Sequence, residues 1–167
     1  SFSNLPNKFY SKIAPEKTKK PSLIILNKKL CDELKLDYKN LESSEGVNFL
    51  SGNLVLKNSD PLAMVYAGHQ FGNWVPQLGD GRAILLGEVL AKNNVRYDIQ
   101  LKGSGRTPYS RGGDGKAWLG PVIREYLVSE YMNNINIPTT RSLSAILTGD
   151  NVYREEKYPG AVLCRVA

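Results

Sequence analysis

The sequence has few of the residues that build disulfide frameworks or metal sites: two cysteines, Cys31 and Cys164, and one histidine, His69. The cysteines lie far apart in sequence, which argues against a disulfide framework and against a zinc site. We expect two free, buried thiols and a reducing compartment. No stretch reaches the roughly 18 apolar residues that a membrane span requires. The first residues also lack the charged and apolar regions of a secretory signal.

The chain has 167 residues, of which 41% are hydrophobic, and this is the size of one domain or of one lobe of a larger protein. Its net charge of +6 is uneven, because residues 1–40 hold nine lysines and only four acidic residues. Such a segment can bind nucleic acid or another anionic surface. However, the run Lys17–Lys20 is short, and no aromatic residues alternate with it as they do in single-strand binders. A solvated basic face is the favoured interpretation, and a nucleic-acid-binding module stays the alternative.

Glycine, proline and asparagine divide the chain into short predicted elements. Residues 1–22 have no regular pattern, and residues 38–62 form a polar connection with one helical turn around 47–50. The other predicted elements are an apolar run at 22–26, a helix at 30–36, strands at 82–90 and 95–101 joined by a turn at 92–94, a glycine-rich loop at 103–115, a helix from Gly120 or Pro121 to Ile137, and strands at 142–147, 152–154 and 161–166, with a turn at 148–151. A hairpin followed by a helix and further strands predicts an α+β fold with a mainly antiparallel sheet.

A glycine turn, Gly79-Asp80-Gly81-Arg82, stands at the start of the predicted hairpin. Glycines let backbone N–H groups approach a phosphate closely, and the arginine adds a cation. Lys102 ends the second strand of the hairpin, from which it can reach phosphates bound by the turn. A carboxylate on the following helix can pair with this lysine, which is the arrangement of a kinase N-lobe. Glu125 and Glu130 both qualify, and helical periodicity does not choose between them.

The loop after the strand lysine is basic, with Arg106, Arg111 and Lys116 against a single acidic residue, Asp114. This charge suits a polyphosphate, although an ordinary basic surface has the same composition. His69 lies upstream of the lysine and is expected to have a structural or capping role, as an uncharged, hydrogen-bonded histidine. Three functions stay open on these residues: a nucleotide-dependent transferase, an ordinary kinase, and a catalytically dead scaffold lobe.

Six motifs resemble the selenoprotein O family, called YdiU in bacteria. Together with the opening LPNKFYSKIAP at 5–15, they extend over nearly the whole chain: YAGHQFG at 66–72, PQLGDGRAILLGE at 76–88, IQLKGSGRTPYSRGGDGKA at 99–117, IREYLVSEYM at 123–132, IPTTRSL at 137–143 and CRVA at 164–167. The resemblance implies a protein-kinase-like fold in which ATP binds in an orientation flipped relative to kinases. It also implies transfer of AMP, rather than phosphate, to hydroxyl side chains of proteins.

The resemblance also implies the roles of individual site residues. The glycine turn matches the nucleotide-binding turn of the family, and Lys102 matches its strand lysine. Glu125 matches the helix glutamate that pairs with this lysine. A second nucleotide-contacting loop and a phosphate-contacting arginine are matched as well. The expected nucleotide-binding residues are therefore Gly79, Gly81, Arg82, Lys102, Asp114, Gly115 and Arg165.

The chain departs from the family pattern in two respects. Leu119-Gly120-Pro121-Val122 stands where many members have Leu-Arg-Ser-Ser, so an arginine is missing before the helix. Family members are also much longer, and their catalytic and metal-binding residues follow the stretch that matches Arg165. We therefore expect an N-lobe fragment that is inactive alone, with an extension at 1–62 packing on a lobe at 63–167. The full-length protein is expected to be a cytoplasmic, Mg²⁺-dependent adenylyltransferase that acts on proteins, with its metal ligands outside this chain.

Overall fold

The computed structural model describes residues 2–167, and an antiparallel sheet of nine strands forms their centre. The strands are β1 (Tyr10–Lys12), β2 (Ser22–Leu26), β3 (Leu62–Gln70), β4 (Asn73–Gly79), β5 (Ala83–Leu90), β6 (Arg96–Lys102), β7 (Ala117–Trp118), β8 (Arg141–Tyr153) and β9 (Lys157–Val166). Their order in the sheet is β1-β3-β5-β6-β9-β8-β2, with β4 paired to β3 and β7 paired to β9.

Three short helices lie between β2 and β3 in sequence, and one long helix follows the β5–β6 hairpin and β7. They are α1 (Lys28–Glu33), α2 (Tyr38–Glu42), α3 (Ser44–Ser51) and α4 (Leu119–Asn134), with 3-10 turns at Phe2–Asn4 and Asn7–Phe9. The side chains of Asn27, Asp37 and Ser43 accept hydrogen bonds from the first N–H groups of α1, α2 and α3. These groups lack partners at an uncapped helix start. Because of this capping, the segment at 38–51 is mostly helical, where the sequence pattern predicts only one turn.

Two apolar layers lie on opposite faces of the sheet, and the alternating residues of β9 belong to one or the other. Val162, Cys164 and Val166 belong to the larger cluster, which includes residues of α1, α3, β5 and β6. Ala161 and Leu163 belong to a smaller cluster with the inner side of α4. Since both faces of β9 are covered, its sequence is a nearly continuous apolar run, as expected for a fully buried strand.

The first 62 residues supply both edges of the sheet. Strand β1 pairs with β3 in the register Tyr10↔Met64, and β2 pairs with β8 in the register Ser22↔Leu147. Residues 1–22, predicted to be irregular, therefore contain a strand that only its distant partner stabilises. The expected boundary between an extension and a lobe at residue 62 stays a prediction.

The structure confirms the predicted hairpin and the principal helix. Strands β5 and β6 pair from Ala83↔Lys102 to Leu90↔Arg96, and α4 begins at Leu119, just before the predicted start. The predicted class is also confirmed, because the described residues form a mixed α+β fold with a mainly antiparallel sheet and one long helix. This arrangement is compatible with a kinase-like N-lobe. None of the helices in residues 2–167 has the length and apolar character needed to cross a membrane.

The predicted turn at 148–151 was wrong. Strand β8 continues through 148–151, where a turn was expected, and it absorbs the extra residues as a shift in register between Leu147 and Asn151. Gly149 permits this at φ 74°, and the backbone N of Lys20 lies 2.8 Å from where a Cβ would stand. Strands β3 and β4 form a second hairpin, in the register His69↔Trp74, in a segment for which the sequence predicts no element.

Candidate functional site

The glycine turn connects β4 to β5 and is anchored to β3 by Asp80. The Asp80 carboxylate accepts a hydrogen bond from the N–H of Met64 at 3.0 Å, and its own N–H donates to the Met64 carbonyl at 2.9 Å. Burial raises the pKa of Asp80 above its ordinary value, although the Met64 N–H and the nearby Arg165 oppose the shift. The N–H of Gly81 donates to the carbonyl of Gly79. Two N–H groups of the turn are therefore bonded within the protein, and Arg82 is the cationic side chain of the turn.

A loop segment, Thr107–Arg111, closes over the outer side of this turn. Thr107 Oγ1 donates to the carbonyl of Asp80 at 2.6 Å, and Ser110 Oγ donates to the carbonyl of Gly81 at the same distance. Thr107 is buried, and a buried hydroxyl bonded in this way holds its partner firmly. The turn is thus held from both sides by hydrogen bonds.

Both glycines of the turn are required by packing. A Cβ on Gly79 would lie 2.4 Å from the ring of Tyr109, and a Cβ on Gly81 would lie 2.5 Å from the Tyr109 carbonyl oxygen. The sequence indicates close approach of a phosphate as the reason for these glycines, whereas the structure places the loop segment Thr107–Arg111 against them. Their expected role in nucleotide binding stays a prediction.

Replacing Gly81 by alanine should displace the loop segment and lower the stability of the fold by roughly 1–3 kcal/mol through overpacking. The clash is with a backbone oxygen, which cannot rotate away. Gly68→Ala is the control, because its Cβ would make an ordinary 3.7 Å contact with Leu78. Thermal unfolding of the two variants measures the effect. Equal behaviour of the two variants would contradict the tight packing at the turn.

Lys102 and Glu125 form an ion pair between the sheet and α4. The register Ala83↔Lys102 places the lysine beside the glycine turn, and Lys102 Nζ lies 2.6 Å from Glu125 Oε2. Glu125 Oε1 lies 3.7 Å from a guanidinium nitrogen of Arg165. Arg165 is oriented in turn by two hydrogen bonds to Oε1 of the buried Gln100, at 3.1 and 2.5 Å. Glu125 is therefore held between two cations.

Glu130, the other candidate on the helix, has a different partner. Its carboxylate accepts two hydrogen bonds from Arg141, both at 2.9 Å, and others from the N–H of Ser142 and the side chain of Asn27. These contacts join α4 to the start of β8 and to the cap of α1. The structure therefore pairs Lys102 with Glu125 and gives Glu130 a place in a separate, half-buried network.

Two adjoining cavities share Arg82 and Lys102. The turn-side cavity, of about 320 Å³, contains four cationic side chains and one carboxylate among its lining residues, which are Tyr66, Gly79, Asp80, Gly81, Arg82, Ala83, Lys102, Tyr109, Ser110, Arg111 and Arg165. The helix-side cavity, of about 390 Å³, extends towards α4 and contains Glu125 and apolar residues. Clustered cations in a concave surface bind polyanions, and arginine is suited to phosphate geometry.

Asp114 and Gly115 lie apart from these two cavities. Asp114 receives two hydrogen bonds from Arg154, at 2.8 and 2.9 Å, and one from the N–H of Lys116. The hydrogen bonds from Arg154 lower the pKa of Asp114 below its ordinary value. Gly115 has φ 67°, and a Cβ there would meet the carbonyl oxygen of Gly105. The structure does not bring these two residues into the cationic cavity, and their expected nucleotide contact stays a prediction.

Metal-ligating residues are not grouped in this part of the chain. Among residues 2–167, no three His, Cys, Asp or Glu side chains come together in a manner that would hold a metal ion.

Both cysteines are free and buried, and burial raises the pKa of Cys31 to about 11 and that of Cys164 to about 12. His69 makes an edge-to-face ring contact with Trp74, with centroids 5.2 Å apart.

Sequence reasoning missed the residues that hold the site together. Thr107 and Ser110 had no signal beyond their place in a glycine-rich loop, and Gln100 was one polar residue in an alternating strand. Arg111 was counted only as part of a basic loop, yet it lines the turn-side cavity. Hydroxyl and amide groups acquire these roles only when distant segments meet, so a single sequence gives little sign of them.

The fold and this constellation define the class: a mixed α+β domain that is compatible with a kinase-like N-lobe, with a glycine turn, a strand lysine and a helix glutamate around a cationic cavity. A family model described as "Protein adenylyltransferase SelO" matches residues 1–167, and the chain belongs to this family. The resemblance seen in the sequence motifs is thereby confirmed.

Relatives from bacteria share this sequence throughout. Proteins named "Protein nucleotidyltransferase YdiU" are 60% identical in Rhodopseudomonas palustris (strain BisB18), 59% in Nitrobacter hamburgensis and 59% in Bradyrhizobium sp. (strain BTAi1), each over 167 residues. The matches cover 100% of this chain and 34%, 33% and 34% of the relatives. The chain therefore spans about a third of the length of the curated relatives it matches, within a family of nucleotidyltransferases.

Proposed function

We propose that this chain is the nucleotide-phosphate-binding part of a protein adenylyltransferase, which transfers AMP from ATP to Ser, Thr or Tyr hydroxyls of proteins. One observation supports the proposal most: the Lys102–Glu125 ion pair of 2.6 Å lies where the two cavities meet. A lysine held by a helix carboxylate beside phosphate-binding groups is the arrangement that phosphoryl-transfer domains of the kinase type use.

The proposed transfer needs charge stabilisation more than covalent help. The hydroxyl group of the protein substrate loses its proton to a base outside this chain, and its oxygen forms a bond to the α-phosphorus. The bond from the α-phosphorus to the bridging oxygen breaks, and pyrophosphate leaves with the negative charge. Arg82, Lys102 and Arg165 are placed to stabilise that charge, and Glu125 orients two of these three cations. The turn of Gly79 and Gly81 forms the wall of the same cavity.

The metal that the proposed reaction needs has no cluster of ligands in the described residues. Mg²⁺ is the expected metal of the reaction. We therefore assign it no step and expect its ligands in the remainder of the full-length protein. On the same grounds we expect this chain alone to bind ATP weakly and to be inactive. A reducing, cytoplasmic location agrees with the two free thiols.

The contacts of the basic N-terminal segment support a solvated basic face more than they support nucleic-acid binding. Several of its lysines contact acidic side chains in the fold: Lys12 with Asp60 at 3.0 Å, Lys19 with Asp150 at 3.3 Å, and Lys28 with Glu42 at 2.8 Å. Lysines that are paired in this way are spread over separate elements, and they favour the interpretation as a solvated basic face.

Labelled ATP tests the proposed reaction in the full-length protein. The protein is incubated with Mg²⁺, a mixture of candidate protein substrates and ATP that is labelled at either the α or the γ phosphate. We expect label from the α position alone to stay on protein, and Lys102→Ala to abolish it. Label from the γ position would show an ordinary kinase. Label from neither position, together with ATP binding that Lys102→Ala leaves unchanged, would favour a scaffold lobe.

A further inference from the structure

Arg111 occupies a place in the turn-side cavity that neither the motifs nor the comparisons assign to it. It lines this cavity together with Arg82, Lys102 and Arg165. Arg111 and Arg165 also act on the same cavity residue, Tyr66. Burial raises the pKa of Tyr66, and the positive charges of both arginines oppose this shift. A nucleotide that lies against Arg82 and Arg165 therefore lies within the field of Arg111 as well.

The fold holds Arg111 in this position through the residues on either side of it. Ser110 is bonded to the carbonyl of Gly81 at 2.6 Å, so the backbone directly before Arg111 is fixed to the glycine turn. Arg111 itself has φ 51°, in the left-handed region that costs a residue with a side chain some free energy. A strained position is retained when the surrounding structure determines it, and this one directs a cation to the rim of the cavity.

Within residues 2–167, no carboxylate forms an ion pair with Arg111. Among the described residues its hydrogen-bond partner is the amide oxygen of Gln70, 3.1 Å from a guanidinium nitrogen. In contrast, Arg141 and Arg154 form ion pairs with Glu130 and Asp114. A neutral acceptor orients a guanidinium and leaves its charge for a ligand. Gln70 ends β3, so this hydrogen bond also ties the far end of the β3–β4 hairpin to the cavity.

We propose that Arg111 is a phosphate-binding residue of this site, a fourth cation that contacts the phosphates of the bound nucleotide. The inference rests on the proposed nucleotide site and adds a residue to it. Without Arg111, three cations face the Asp80 carboxylate in this cavity, and Glu125 compensates part of the charge of Lys102 and Arg165. A triphosphate carries about four negative charges, and a further uncompensated arginine brings the site closer to that charge.

The test measures the affinity of the full-length protein for ATP, AMP and adenosine with two matched variants. Arg111→Gln removes the charge from the cavity, and Arg106→Gln removes the same charge from the same loop. Arg106 is exposed, donates to the carbonyl of Gly113 at 2.9 Å and does not line the cavity. We expect Arg111→Gln to weaken ATP binding about tenfold, AMP binding less and adenosine binding not at all, since the lost contacts are charge-assisted. Arg106→Gln should change each affinity less than about twofold.

The outcomes separate this inference from the proposed function. If the unmodified protein binds ATP and the two arginine variants behave alike, Arg111 has no phosphate contact and the nucleotide site stands. Equal losses for ATP and adenosine would likewise overturn the phosphate contact, because adenosine has no phosphate. If the unmodified protein binds no ATP, both proposals are wrong. Arg111→Lys keeps the charge and loses the planar fork, so its affinity for ATP should lie between those of the unmodified protein and Arg111→Gln.

Discussion

If the proposed reaction is correct, replacing Lys102 by methionine should lower kcat/KM for AMP transfer by about a hundredfold or more, since the proposed site loses a cation that would stabilise charge at the phosphates. Methionine keeps most of the aliphatic stem, so the packing at the end of β6 changes little. The lysine Nζ lies 2.6 Å from Glu125 and beside the glycine turn. Transfer of label from α-labelled ATP to protein substrate by the full-length protein measures the loss.

Lys116→Met is the matched control for this variant. Lys116 also pairs with a glutamate, Glu16, at 3.4 Å, and its side chain is 37% exposed against 30% for Lys102. It lies outside the two cavities around the ion pair. We expect Lys116→Met to keep nearly full activity. Equal losses in both variants would show that the proposed site is in the wrong place.

Glu125→Gln extends this test to the pair. If Glu125 acts by holding Lys102, the two substitutions together should cost little more activity than Lys102→Met alone, because residues in one network are not additive. Full additivity would mean that Glu125 acts independently, through its contact with Arg165 at 3.7 Å. In that case Glu125 would be assigned to orienting the arginine.

The sequence predicts this part of the site well because its signals are local. The alternation in β6 and the short turn before it place Lys102 at the end of a hairpin, and the apolar repeat after Leu119 gives the helix. Local signals do not decide which of the two glutamates, Glu125 or Glu130, pairs with Lys102. Glu130 lies near the centre of the apolar face, where a carboxylate is retained by Arg141, whereas Glu125 lies to one side, towards the cavity. Helical periodicity does not distinguish them. The family resemblance selects Glu125, and the position of the sheet relative to α4 gives the physical reason.

The elements that the sequence misses depend on partners far along the chain. Strand β1 exists because Tyr10–Lys12 pairs with β3, and β8 continues past Gly149 because Lys20 packs against it and donates its N–H to Thr148. The local turn chemistry of Thr148–Asn151 is overridden by that contact. Propensity and periodicity are properties of neighbouring residues in a short stretch of sequence. The contacts that form these strands join residues far apart in sequence, so local patterns do not predict them.

Replacing Glu130 by glutamine should lower the stability of the fold by roughly 2–4 kcal/mol, since it breaks a half-buried ion pair and leaves donors without a partner. The carboxylate accepts hydrogen bonds from Arg141, Ser142 and Asn27, and an amide group cannot accept from all of them. The side chains of Glu130 and Arg141 are 17% and 14% exposed, so water replaces these contacts poorly. The midpoints of thermal and urea unfolding of the full-length protein measure the loss.

Glu125→Gln, on the same helix, should affect the proposed activity and leave stability nearly unchanged. Its ion pair with Lys102 is more exposed, with side chains 28% and 30% accessible, and should contribute less than about 1 kcal/mol to stability. We expect Glu125→Gln to lower AMP transfer with little change in unfolding midpoint. Glu130→Gln should lower the midpoint and keep the ATP affinity of the protein that remains folded. A stability loss at Glu125 equal to that at Glu130 would contradict these separate roles.

The pH dependence of stability gives Glu130 a further signature. Burial by itself would raise the pKa of Glu130, but hydrogen bonds from Arg141, Ser142 and Asn27 outweigh it and leave the pKa below its ordinary value of 4.5. A carboxyl whose pKa is lower in the folded state stabilises the fold above its unfolded pKa and loses that contribution as the pH falls through the folded pKa. The stability difference between the unmodified protein and Glu130→Gln should therefore be constant near neutral pH and shrink below about pH 4.5. A difference that stays constant down to pH 3 would show that the charge of Glu130 does not carry the effect.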